Sequence, residues 1–243
     1  MSRLLSAAET AALFLAALGM IWFTCRDTVF PDRRENVPVF SSAPGLVLIL
    51  DSGHGGSDGG AVSCNGHAES RINYRITSAA RSFAMLFGGE VTCTREEEEI
   101  SYPPDCTTIR QQKKWDTLRR VETAEDVPGG VLLSIHQNFY QSPSPDGLQL
   151  LTAPVPGSEA FAGALFDQAS VLLPETRLRP TVQIPEDVYL MNHVSCPAVL
   201  CECGFLSNPR EEARLCTEEY QRQIAVTLAV GALSYMNNSM NRE

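Results

Sequence analysis

The sequence is poor in positive charge: 19 lysines and arginines stand against 29 aspartates and glutamates, a formal net charge of -10. Phosphate binding needs a basic surface, so a nucleic-acid partner is excluded. The deficit also excludes simple electrostatic adhesion to an anionic wall polymer, which would have to be recognised by a shaped groove. Internal repeats and low-complexity tracts are absent from the sequence, and no second module that could act as a separate wall-binding domain is expected within it. The eight cysteines (Cys25, Cys64, Cys93, Cys106, Cys196, Cys201, Cys203, Cys216) match no zinc-ribbon or finger spacing. Their even number permits disulfides without requiring them. Cys201 and Cys203, two apart in an apolar run, are expected on one side of a strand as small buried hydrophobes. A thiol enzyme built on either would need a neighbouring histidine, and none is expected there.

What is present begins with an apolar N-terminus. Arg3 precedes Thr10 to Cys25 (TAALFLAALGMIWFTC), a run without a charged residue, and Leu4 to Ala8 extends it past the lone Glu9. Residues 1–26 are long enough for a membrane-spanning helix, which takes about 20 residues. A cleaved signal peptide is the competing reading, although Met20-Ile21-Trp22-Phe23 sets large residues where small ones precede a cut site. Residues 27–45 are polar and include Pro31, Pro38 and Pro44, as in a tether. Residues 46–236 are expected to form one domain, followed by a polar tail over 237–243. With 44% hydrophobic and 20% charged residues, the composition is that of a globular protein with one sizeable core.

Leu46-Val47-Leu48-Ile49-Leu50 is uninterrupted and apolar, as in a strand buried on both faces, and ends in the loop Asp51-Ser52-Gly53-His54-Gly55-Gly56. A helical period covers 68–86, with Ile72, Ile76, Ala79, Ala80, Phe83 and Leu86 inward. Further strands are expected at 90–94, 131–135, 147–151, 188–191 and 198–202. Further helices are expected at 159–173, 221–236 and 107–124, the last with Ile109, Trp115, Leu118 and Val121 inward. An acidic, proline-containing loop fills 96–106. Strands alternating with helices predict an α/β domain with a mostly parallel, twisted sheet flanked by helices.

Three polar residues are expected immediately beyond buried strands: His54, His136 and Glu202. Functional groups of open α/β sheets collect at the carboxyl ends of the strands. A carboxylate following Ala198-Val199-Leu200-Cys201 is costly to bury without a partner, and a bound cation would remove that cost. Glu69 opens the first long helix, where by itself it would favour the positive helix end. His67, two residues earlier, competes with it as a ligand, and His193 is nominated by residue type alone. Two histidines and a carboxylate form a catalytic zinc set with a fourth position for water. Zinc lowers the pKa of that water and polarises a carbonyl beside it. A carboxylate that is not a ligand then moves the proton to a leaving amine, the role that suits Glu202.

These residues also carry a resemblance. Leu48-Ile49-Leu50-Asp51-Ser52-Gly53-His54-Gly55-Gly56 resembles the opening motif of the zinc-dependent N-acetylmuramoyl-L-alanine amidases of the amidase-3 family, with Ser52 where proline is usual. Glu69 with Asn73 resembles the second metal position, and Thr94-Arg95 the strand-end Thr-Arg. Ser134-Ile135-His136-Gln137-Asn138 is similar to the Ser-Ile-His-x-Asn signature. Glu202-Cys203-Gly204-Phe205-Leu206-Ser207-Asn208 resembles the segment bearing the catalytic glutamate. The resemblance implies the family's amidase fold, a zinc ion held by His54, Glu69 (in preference to His67) and His136, and Glu202 as acid/base. The reaction it implies is hydrolysis of the amide between the lactyl group of N-acetylmuramic acid and L-alanine of the peptidoglycan stem peptide. Arg95 and Asn138 become candidate substrate contacts. Between His136 and Glu202 no long helical hairpin of the kind that plugs division-associated relatives is expected. The N-terminal segment and single domain look most like the CwlD-type sporulation branch, which prepares muramic lactam in the spore cortex. That implies an extracytoplasmic place, such as the intermembrane space of a forespore, and an accessory lipoprotein or a homodimer as partner. A non-catalytic wall-binding protein of the same fold and a zinc peptidase acting within the stem peptide are the alternatives.

Overall fold

Residues 47–240 are described in the computed structural model; the apolar N-terminal segment, the tether and the last three residues of the tail lie outside them. Six strands and six helices follow in the order β1 (Val47–Ser52), α1 (Glu69–Leu86), β2 (Glu90–Cys93), α2 (Ile109–Glu125), β3 (Val131–Asn138), β4 (Gln149–Thr152), α3 (Ser158–Leu172), β5 (Val182–Gln183), α4 (Tyr189–His193), β6 (Ala198–Phe205), α5 (Pro209–Leu215) and α6 (Glu218–Met240). The strands form one sheet in the order β2-β1-β3-β6-β4-β5. Only the β4–β6 pairing is antiparallel; the others are parallel. The expected mostly parallel α/β sheet is what the chain forms.

Alternation along each strand divides the core. Leu48 and Leu50 of β1, with Leu133 and Ile135 of β3, face a large cluster built with α1, α3 and α6. Ile49 and Leu132 face a smaller cluster with Ala124, Leu190 and Met191. Covered on both sides, these strands read as continuous apolar runs, which is why they were legible. Helix α1 lays Ile72, Ile76, Ala80 and Ala84 on the core and, one step around, buries Glu69, Asn73 and Thr77. Thr108 starts α2 with a capping box, its hydroxyl accepting from Gln111 N–H. Cys201 and Cys203 are fully buried on one side of β6, their sulfurs 3.8 Å apart, and no disulfide joins the described cysteines.

Several expectations are corrected. Strands β3 and β6 run on through His136 and Glu202, which pair in register with each other, so both side chains leave the ladder itself. Residues 188–191 are not a strand: both edges of β6 are already filled by β3 and β4, and the segment coils into α4 after Pro185. Asn192 Nδ2 donates to the Pro185 and Val188 carbonyls to hold that turn. The closing helix runs from Glu218 to Met240, four residues into the expected polar tail, and α5, started by the Asn208 cap, was not anticipated. Leu86 is 75% exposed because the helix ends there. In α2, Ile109 and Leu118 are exposed, and Arg120 and Ala124 take the inward positions. The inner face of α2 is therefore partly ionic. Among the described residues, no helix is long and apolar enough to cross a membrane.

Candidate metal and catalytic centre

The loop after β1 brings His54 over the carboxyl ends of the strands. His54 adopts a left-handed backbone (φ 59°), a conformation costing about 1–2 kcal/mol for an L-residue. Paired backbone hydrogen bonds between Gly55 and Asp58 close the turn, and Arg120 Nη2 donates to the His54 carbonyl at 2.6 Å. Asp58 Oδ2 lies 3.0 Å from His54 Nδ1, which leaves Nε2 directed at Glu69 Oε2, 3.3 Å away. The other Glu69 oxygen lies 3.0 Å from His136 Nδ1. One ligand atom from each of His54, Glu69 and His136 falls within 4.8 Å of the others. Exposed His67 stays outside this cluster, and so does His193, which stacks on Tyr189.

Glu69 is 3% exposed and fully engaged: its oxygens also accept from the Ala61 N–H, the Gln137 N–H and Asn73 Nδ2. Burial would raise its pKa, but hydrogen bonds and charge from His136 and His54 prevail and hold it well below the usual carboxylate range. Burial likewise opposes charge on His54, yet Asp58 and Glu69 raise its pKa to about 9. Asp58 is lowered against its own burial by His54 and Lys113. Two imidazoles and a carboxylate brought this close together are donor types that bind a divalent cation. Two glycines give it room. A Cβ at Gly53 would sit 2.2 Å from His136 Nε2, and one at Gly60 (φ 67°) 2.6 Å from Glu69 Oε2.

Glu202 stands beside His136 on the neighbouring strand. Its Oε2 is shielded from solvent and has no hydrogen-bond partner. Burial drives its pKa up to about 7; Glu69 adds to the rise, and the two histidines oppose it. Such a carboxyl can hold or release a proton near neutral pH.

Beneath the centre lies an ionic support that the sequence reading missed. Asp51 is 1% exposed and accepts from Thr94 Oγ1, Ser134 Oγ and Arg120 Nη1. Burial alone would raise Asp51, but Arg120 and the two hydroxyls bring it below its ordinary value. Arg120 also donates to the Ser52 carbonyl and to Asp116. The available signal was an arginine four residues after Asp116 in a helix with little apolar stripe. Arg95, expected to contact substrate, is committed elsewhere. Its five N–H groups go to the carbonyls of Ser52, Ser70, Glu97 and Glu98 and to Ser52 Oγ. Asn138 sits where β3 and β6 lose register, its carbonyl accepting from Leu206 N–H.

The sequence matches the N-acetylmuramoyl-L-alanine amidase family (Amidase_3) over residues 48–234. The chain belongs to this family. It is 31% identical over 192 residues to the germination-specific N-acetylmuramoyl-L-alanine amidase of Bacillus subtilis (strain 168), covering 79% of this chain and 80% of that protein. It is 26% identical to the amidase AmiC of Neisseria meningitidis serogroup B (strain ATCC BAA-335 / MC58), over 80% of this chain and 53% of that longer protein. In structure it resembles the CwlD amidase of Clostridioides difficile, solved in complex with the GerS lipoprotein. That likeness has a TM-score of 0.74 and 30% identity, and spans 79% of this chain and 98% of that one. The protein is a CwlD-like N-acetylmuramoyl-L-alanine amidase, and peptidoglycan is its substrate.

Proposed function

We propose that His54, Glu69 and His136 hold a zinc ion and that Glu202 is the general acid and base of amide hydrolysis. The observation that carries this reading is the buried, partnerless Glu202 Oε2 beside a cluster of two histidines and a carboxylate. An uncompensated carboxylate of this kind costs free energy that a neighbouring cation removes. Bound zinc supplies polarisation of the lactyl carbonyl and activation of water. Asp58 orients His54, and Asn73 Nδ2 with the Ala61 and Gln137 N–H groups orients Glu69. Glu202 takes the proton from the attacking water and returns it to the departing L-alanine nitrogen. Arg95 holds Ser52, the last residue of β1, and Asn138, at the end of β3, contacts substrate in this reading.

The likeness to germination-specific and CwlD amidases supports a role in spore-cortex maturation, in an extracytoplasmic compartment and with an accessory lipoprotein as partner. The apolar N-terminus would tether the enzyme to the membrane. Muropeptide release by the purified protein, assayed with and without a chelator and resolved by mass, tests the chemistry. Zinc-dependent release of intact stem peptides with free lactyl groups is expected. Cleavage within the peptide would assign a peptidase instead, and tight wall binding without release a non-catalytic protein.

A further inference from the structure

A cavity of about 250 Å³ opens beside the cluster, on the sheet face covered by α2 and α4. It is lined by His54, His136 and Ser134, by Lys113 and Thr117 of α2, and by Asp187 and Tyr189 at the start of α4. A substrate whose amide carbonyl lies at the cluster must run into or past this space. We propose that the cavity seats the peptide side of the scissile amide, with Lys113 pairing to a carboxylate of the stem peptide and Tyr189 walling the chain. This rests on the cluster being the reaction centre.

Size argues for a short stretch of chain. Pockets that bury a drug-sized ligand run from about 300 to 1,000 Å³, so this one admits a residue or two and not a length of polymer. Charge argues for the peptide over the glycan. A protein with a net charge of -10 repels an anionic peptide unless a cation is placed to receive it, whereas an uncharged sugar has no use for one. Lys113 is that cation. Its side chain is half exposed, and its ion pair to Asp58 Oδ1 at 2.8 Å leaves two of three N–H groups for a ligand. Arg120, the other cation lining the cavity, is buried and occupied by Asp51, Asp116 and the carbonyls of Ser52 and His54.

The carboxylates facing the cavity do not cancel this. Asp51 and Asp116 are paired to Arg120, and Asp58 is shared among His54, the Gly60 N–H and one N–H of Lys113, whose other two N–H groups stay available. Exposed Asp187, on the far rim, is suited to accept peptide N–H groups. Tyr189 stacks on His193 at 3.7 Å and 11°, and His193 Nδ1 lies 2.8 Å from the Tyr189 carbonyl.

The test uses the full chain loaded with zinc and synthetic stem peptides in which each carboxylate is free or amidated in turn. Binding is measured by calorimetry, and cleavage of the corresponding muropeptides is measured separately. For one carboxylate position, wild type is expected to bind the free form about tenfold more tightly. Lys113→Gln is expected to abolish that preference, Lys113→Arg to keep most of it, and Tyr189→Ala to weaken both forms. Equal binding of free and amidated peptides by wild type would overturn the proposal. So would a Lys113→Gln protein that weakens both equally, because Lys113 would then act only through Asp58 on His54. If peptide discrimination holds while no muropeptide is cut, the reaction-centre reading fails, and only the pairing of Lys113 with a peptide carboxylate stands.

Discussion

Replacing Glu202 by glutamine should affect activity and stability in opposite directions. The folded pKa of about 7 lies above the ordinary value of 4.5. Between those two values the folded chain therefore holds a proton that the unfolded chain has lost, and stability falls as pH rises. At about 1.36 kcal/mol per unit, the accumulated loss reaches about 3 kcal/mol above neutrality and vanishes below the unfolded pKa. Metal-free Glu202→Gln should accordingly be more stable than wild type by up to about 3 kcal/mol at about pH 8, and equally stable at about pH 4. Denaturant titrations in the presence of a chelator read this difference. Adding zinc should flatten the wild-type pH dependence, because a cation beside Oε2 favours the ionised form. Turnover of muropeptides should fall by about 10²- to 10⁴-fold with zinc retained, the usual contribution of a positioned acid/base. A variant that is no more stable at about pH 8, or that still turns over at the wild-type rate, refutes the reasoning.

Three further outcomes follow from the support around the centre. Gly53→Ala drives a methyl group into His136 Nε2, and zinc affinity by chelator competition should drop about 10–100-fold while far-UV circular dichroism is unchanged. Arg120→Ala leaves Asp51 buried without its counter-charge and should cost about 3–5 kcal/mol near neutral pH, seen as a lowered Tm, with the loss shrinking in acid as burial lets Asp51 take up a proton. His67→Ala, at an exposed position outside the cluster, should keep zinc content and turnover; losing either would reinstate His67 as a ligand.

The parts of the site that were legible in the sequence share a physical cause. Strands β1, β3 and β6 are covered on both faces, so each is a dense apolar run, and a histidine or glutamate at its end stands out. The α4 segment was misread because a four-residue apolar run is consistent with either strand or helix, and only the filled edges of β6 decide between them. Arg120 and Asp51 were missed because their partners are far apart in the chain. A polar helix looks solvated until its inner face is seen against a buried carboxylate.

Sequence alone determined the α/β class, the places of the long helices and of the five longer strands, and which side chains could perform metal chemistry, because these follow from hydrophobic period and residue type. Tertiary structure decided the rest. It closed His54, Glu69 and His136 to within bonding reach and left His67 in solvent. It paired His136 with Glu202 across two strands, engaged all five N–H groups of Arg95 within the protein, and opened the cavity between α2 and α4. Each of these depends on residues brought together across long sequence separations, where distance and burial, and not local pattern, set the chemistry.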